Sequence, residues 1–202
     1  DTRELPRGCE TILKAFSSKV DVAICVEHGK IACVECTKDS KPATIFNLRK
    51  LTHKDLVVLD SGCLLGDAAL ALVCAGGPLE YKPRPADWGT LGKYLGDILS
   101  TIQAAAFTNF VVITHELVVE EEVNGIKKDK VYPLLGTRNF SSRVAKYFGT
   151  VVYLELKLGK HAGGSSSTYK PNHITGSRVN VAIEKNKEPT MRDIFIEGGI
   201  LK

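Results

Sequence analysis

The sequence predicts an α/β fold, a mostly parallel sheet flanked by helices with β-hairpin insertions. Three observations carry that expectation. Leu56-Val57-Val58-Leu59 and Phe110-Val111-Val112-Ile113 are continuous apolar runs, the pattern of strands buried on both faces. Each run ends in polar residues, Asp60-Ser61 and Thr114-His115-Glu116. Between them Leu91, Leu95, Ile98, Leu99 and Ile102 recur at three-and-four spacing, which makes an amphipathic helix suited to packing on a sheet. Two such strands joined through a helix form a βαβ unit with a right-handed crossover.

The other elements follow in chain order. Leu5, Ile12, Leu13 and Phe16 share a helical face, with the helix running from about Cys9 because Pro6 and Gly8 weaken its start. Val20 to Glu27 and Lys30 to Thr37 are β-branched runs about Gly29, which fit a hairpin or two sequential strands. Gly62 to Val73 is rich in Leu and Ala and reads as helix, followed by a loop at Gly76-Gly77-Pro78. Asp87 is placed to cap the long helix, and Trp88 beside it reads as a packing residue of the helix start. Leu117 to Glu122 and Lys130 to Leu135 flank Asn124-Gly125, a tight-turn hairpin signal. Thr137 precedes a helix around Phe140 to Phe148, and Val151 to Leu156 is a strand. Residues 159–176 lose hydrophobic periodicity and read as a polar loop, and Arg178 to Glu184 resumes a strand. With no internal repeat or linker, residues 1–202 count as a single domain.

Composition narrows the class. At 202 residues, 44% apolar and 25% charged, the chain has enough material for a real core, and no run approaches the roughly 20 apolar residues of a membrane helix. A cytoplasmic protein without a membrane is expected. Residues 1–123 carry 13 basic and 17 acidic groups, whereas residues 124–202 carry 14 basic and 6 acidic ones, so the basic surface lies in the last two fifths. The six cysteines all fall within the first 74 residues, several in apolar runs, which fits a reducing compartment. Cys33 and Cys36 make one CxxC in a strand-like run, and no second Cys or His pair follows at ligand spacing, so zinc or redox use is disfavoured. The chain opens with Asp1 and its one methionine is Met191, so an upstream segment is expected.

Ligands of an open parallel sheet bind beyond the carboxyl ends of its strands, which makes Asp60, Ser61, Thr114 and His115 candidates for one crevice. An apolar strand ending in a carboxylate is also the Walker B pattern, in which the acid holds the magnesium of a nucleotide. Its usual companion, the phosphate-cradling GxxxxGK[ST] loop, is not found in these 202 residues.

The runs Asp55 to Ser61, Asp87-Trp88-Gly89 through Glu116, Tyr132 to Phe140, Val152-Tyr153-Leu154-Glu155 and Thr175-Gly176-Ser177-Arg178 together resemble phage-type RecA-like ATPases. These are P-loop proteins of the AAA type linked to recombination and single-strand annealing, and the resemblance covers about residues 50 to 184. It implies a RecA-like sheet, ATP and Mg2+ as cofactors, single-stranded DNA as partner, and a homo-oligomeric ring or filament working with phage recombination or replication proteins in the bacterial cytoplasm. It also implies that Asp60 is the Walker B carboxylate and metal ligand, and that His115 senses the γ-phosphate. Glu4 stands near the position of the catalytic glutamate, one residue removed from the family's usual place. The missing phosphate loop would lie just upstream of residue 1.

Two basic groupings complete the candidates. Arg138 could reach a neighbouring subunit's phosphates as a trans finger, whereas Arg143 and Lys146 read as a solvated helix face. Lys157, Lys160, His161, Tyr169 and Lys170, with Arg178 beyond, combine cations, small residues and one aromatic, the composition of a single-strand contact. A nucleotide-independent DNA-binding or scaffold module on a degenerate RecA fold is the alternative.

Overall fold

The computed structural model describes residues 5–75, 81–105, 109–157, 160–164 and 176–177. Described residues up to 113, with 135–137, form one compact unit, and the rest form a second.

The first unit contains three longer helices, α1 (Leu5–Ser17), α3 (Gly62–Cys74) and α4 (Pro85–Ala104), and the short α2 (Val34–Lys38). Both α1 and α4 pack against α3. All five residues of the three-and-four pattern, Leu91, Leu95, Ile98, Leu99 and Ile102, are buried, and they meet helices as their principal neighbours. The start of α4 differs from expectation. Pro85 opens the helix, where a missing N–H costs nothing. Asp87 reaches back from the first turn to accept hydrogen bonds from the Arg84 N–H at 2.7 Å and the Tyr81 hydroxyl at 2.5 Å. Trp88 is 41% exposed, since it points off the buried stripe. Ser61 starts α3, its Oγ accepting from the Leu64 N–H at 3.3 Å.

Leu56–Asp60 (β3) and Asn109–Ile113 (β4) form a parallel pair in register from Leu56 opposite Asn109 to Asp60 opposite Ile113. Asn109 anchors the pair by donating from Nδ2 to the His53 carbonyl at 2.9 Å. This is the parallel pair among the described residues; the other four two-stranded pairs are antiparallel. The protein is thus mixed α/β with small sheets. Burial along β3 alternates instead of being continuous, with Leu56 and Val58 47% and 49% exposed, because a pair of strands covered on one side leaves alternate side chains open.

Val22–Cys25 (β1) pairs antiparallel with Ala43–Phe46 (β2). The run Lys30 to Thr37 is therefore not the partner strand of Val20 to Glu27. Only Ile31 bridges to Ile24, and the chain then turns at Ala32, with φ +51°, into α2. Asp21 ties the module shut, accepting from Asn47 Nδ2 at 2.9 Å and Lys50 Nζ at 2.8 Å.

In the second unit Glu116–Val123 (β5) and Ile126–Pro133 (β6) form the expected hairpin, turning at Asn124 and Gly125 with φ +55° and +76°. Arg138–Val144 (α5) begins directly after Thr137 and runs into a 3₁₀ turn at Ala145–Tyr147. Thr150–Val151 (β7) is separated from Tyr153–Lys157 (β8), which pairs with Lys160–Gly164 (β9). The polar stretch after residue 159 therefore begins as strand, its backbone satisfied by β8. β7 pairs instead with Gly176–Ser177 (β10).

Candidate functional site

The parallel register sets Asp60 beside Ile113 at the carboxyl end of the β3–β4 pair. Asp60 is exposed there and joined to Ser61 by a cis peptide bond. Ser61 is half-buried and its hydroxyl oxygen is engaged with the Leu64 N–H. The α3 cap is thus made by Ser61, and the Asp60 carboxylate beside it is exposed.

Thr114, His115 and Arg138 belong to the second unit. Thr114 and His115 are the link from β4 into β5, and the His115 carbonyl accepts from the Leu134 N–H at 2.8 Å. His115 is exposed. Glu116 Oε2 accepts from the Tyr153 hydroxyl at 3.1 Å. Arg138 is exposed on the first turn of α5, where Nη2 donates to the Glu120 carbonyl at 3.3 Å. Arg143 and Lys146 are exposed, as expected of a solvated face. Of the basic DNA candidates, Lys157 and Lys160 are register partners closing β8 onto β9, and His161 pairs with Leu156. Glu4, Tyr169, Lys170 and Arg178 lie outside the described residues, as do the loop at Gly76 to Pro78 and the expected strand after residue 178.

A second constellation lies in the β1–α2–β2 module. Cys25, His28, Cys33 and Cys36 bring one ligand atom each to within 4.8 Å of all the others. His28 Nδ1 stands 3.2 Å from Cys36 Sγ and 3.6 Å from Cys33 Sγ, while its Nε2 faces Glu35 Oε2 at 3.8 Å. Two turns produce this convergence. From Cys25 the chain reverses through Gly29, whose N–H donates to the Cys25 carbonyl at 3.0 Å, and the Lys30 N–H donates to Cys25 Sγ at 3.3 Å. From Cys33 the first turn of α2 forms, with the Thr37 N–H on the Cys33 carbonyl at 3.0 Å. Burial disfavours a Cys25 thiolate, but backbone N–H groups of Lys30 and His28 and the thiols of Cys33 and Cys36 favour it by more, lowering its pKa to about 7. Burial, and then the thiols of Cys33 and Cys25, push Cys36 up to about 12.

The sequence pattern around Cys33 and Cys36 did not single out Cys25 and His28 as candidate ligands. Looking only downstream of Cys33-x2-Cys36 left that pair without a partner, yet the partner precedes it. From Cys25 to Cys36 the sequence is Cys-x2-His-x4-Cys-x2-Cys, and that spacing was the available signal.

Comparison of the chain with family models, with curated proteins and with solved structures gave no match.

Proposed function

We propose that this chain is the core of a RecA-like ATP-binding protein acting on single-stranded DNA in recombination, annealing or replication. The observation that carries the reading is the β3–β4 pair: two apolar strands, parallel and in register, joined through α3 and α4, the first ending in exposed Asp60. In that reading Asp60 holds Mg2+ on ATP, Ser61 and Thr114 line the nucleotide, and His115 reports the γ-phosphate. Arg138 contacts a neighbouring copy's nucleotide in a ring or filament, and the basic residues from Lys157 onward grip the DNA backbone. The net charge of residues 124–202, 14 basic groups against 6 acidic, supports that last assignment. Glu4 takes the water-activating role.

The deciding experiment is Mg2+-dependent ATP titration of this chain and of the chain in its full open reading frame, each with Asp60→Ala. Loss of Mg2+-dependent binding on that substitution, with an unchanged circular dichroism spectrum, is expected. Equal affinity in the variant refutes the role of Asp60. Single-strand binding that persists without any nucleotide affinity in either protein replaces the ATPase reading by a nucleotide-independent DNA-binding module. Neutralising Lys157, Lys160 and Lys170 together is expected to flatten the salt dependence of DNA binding by up to about 2 to 3 log–log units.

A further inference from the structure

We propose that Cys25, His28, Cys33 and Cys36 bind one Zn2+ as a closed structural site that holds the β1–α2–β2 module together.

The geometry already approximates a coordination sphere. Tetrahedral zinc with Zn–S of about 2.3 Å and Zn–N of about 2.0 Å sets sulfur–nitrogen edges near 3.6 Å and sulfur–sulfur edges near 3.8 Å. His28 Nδ1 lies 3.2 Å and 3.6 Å from two of the sulfurs, and all four donor atoms fall within 4.8 Å. Small adjustments of side chains, with no change of backbone path, complete the sphere. Three thiolates and one imidazole are a donor set that selects zinc over the hard cations. Because all four positions are filled by protein, no place remains for water or substrate, so the role is structural.

Surrounding groups fit the same assignment. With Nδ1 directed at the sulfurs, His28 turns its Nε2 toward the Glu35 carboxylate at 3.8 Å, the kind of group that on closer approach fixes a ligating imidazole's tautomer. The Lys30 N–H donates to Cys25 Sγ and disperses charge on a thiolate. The backbone N–H of Lys41 donates to the Cys36 carbonyl at 2.9 Å and fixes the chain beyond the last cysteine, while the Lys41 ammonium pairs with Glu27 Oε2 at 2.7 Å.

Beyond the Asp21 hydrogen bonds and the buried Val22 and Leu48, the module has a small core of its own. Its buried cluster consists of Cys25, Cys33 and Cys36, which are 5%, 8% and 3% exposed, whereas its larger apolar residues Val26, Val34 and Ile45 are exposed. A two-stranded antiparallel pair is marginal on its own, and three thiols bury too little apolar surface to fix two turns, a strand pair and a five-residue helix. A metal cross-link supplies what the core does not.

The inference is independent of the nucleotide reading and is tested without it. The purified, reduced protein is desalted and its zinc measured per chain by mass spectrometry, then Zn2+ is replaced by Co2+ and the visible spectrum recorded. One zinc per chain and an intense tetrahedral Co2+ spectrum with a thiolate charge-transfer band are expected. His28→Cys should retain the metal and shift the spectrum toward the four-thiolate type. Cys33→Ser should weaken Co2+ binding at least 10-fold. If Cys33→Ser does not fold, the wild-type spectrum and the His28→Cys shift still decide. Failure of the reduced, folded protein to take up either metal overturns the proposal. So does a weak octahedral spectrum, a spectrum indifferent to His28→Cys, or a disulfide among Cys25, Cys33 and Cys36 in its place.

Discussion

The close approach of the segment 135–137 to α3 can be tested with one substitution made at two places. Gly66 lies in α3, and a Cβ there would stand 2.7 Å from the backbone nitrogen of Gly136 and 3.1 Å from its Cα, whereas ordinary van der Waals contact begins at 3.4 Å. Both opposing atoms are backbone, so no side chain can swing aside. Gly136 cannot easily retreat either, because its φ is +67° and its own Cβ direction is filled by Leu95 Cδ1 at 2.5 Å. Overpacking of this kind costs about 1 to 3 kcal/mol, and the rigid opposition puts Gly66→Ala toward the upper end. Alanine's helix propensity returns about 1 kcal/mol. The expected net loss is about 2 kcal/mol, a fall in Tm of roughly 4 to 8 °C for a chain of this size. Gly89 in α4 has nothing within 4 Å of its Cβ position, so Gly89→Ala keeps the propensity gain of about 0.5 to 1 kcal/mol and raises Tm. Thermal unfolding followed by circular dichroism reads both. If Gly66→Ala melts at or above the parent temperature, or if the two variants shift in the same direction, the packing of Gly136 against α3 is wrong.

Two further outcomes follow from the core and the charges. Leu95 is fully buried on the α4 stripe, so Leu95→Ala should cost about 2 to 5 kcal/mol in urea unfolding, and a change below about 1 kcal/mol would place that stripe elsewhere. Tyr81 and the Arg84 N–H hold the Asp87 carboxyl below its ordinary pKa, Lys50 and Asn47 do so for Asp21, and Lys130 and Tyr132 for Glu121. Stability from these groups is present above their unfolded values near about 4 and is lost as pH falls through the lowered native values. Asp87→Asn should therefore lower Tm at pH 7 and flatten its decline on acidification; an unchanged acid limb would remove Asp87 from the cap.

Much of the fold was legible because it rests on periodicity. The α4 stripe, the β3 and β4 runs, their polar ends and the Asn124-Gly125 turn are local patterns whose physics does not depend on distant partners. Three features were not legible in that way. Continuous apolarity in Leu56 to Leu59 implies cover on both faces, but cover is a property of what packs on a strand, and here alternate residues stay open. Lys30 to Thr37 has strand-like composition, yet the chain turns at Ala32 with positive φ into α2, and that turn sets Cys33 and Cys36 beside Cys25 and His28. Asp87 reads as a cap from its type, whereas Pro85 two residues earlier decides where the helix begins. For the candidate site, Asp60 and Ser61 stand at a strand end as the pattern said, while the grouping of Cys25 and His28 with Cys33 and Cys36 depends on two turns that a downstream CxxC or HxxxH pattern does not encode.

The cysteine module is not an appendage to the unit that carries Asp60. Phe16 of α1 meets Phe46 of β2 edge-on at 5.8 Å and Phe110 of β4 edge-on at 5.9 Å. One ring thus touches the strand that follows the cluster and the strand that lies beside β3. Edge-to-face pairs contribute about 0.5 to 1.5 kcal/mol each beyond the area they bury, so Phe16 carries two such contributions. Phe110 is the residue in register with Val57 on the Asp60 strand. Phe16 thereby joins the strand that follows the cysteine cluster to the strand paired with β3, within one compact unit.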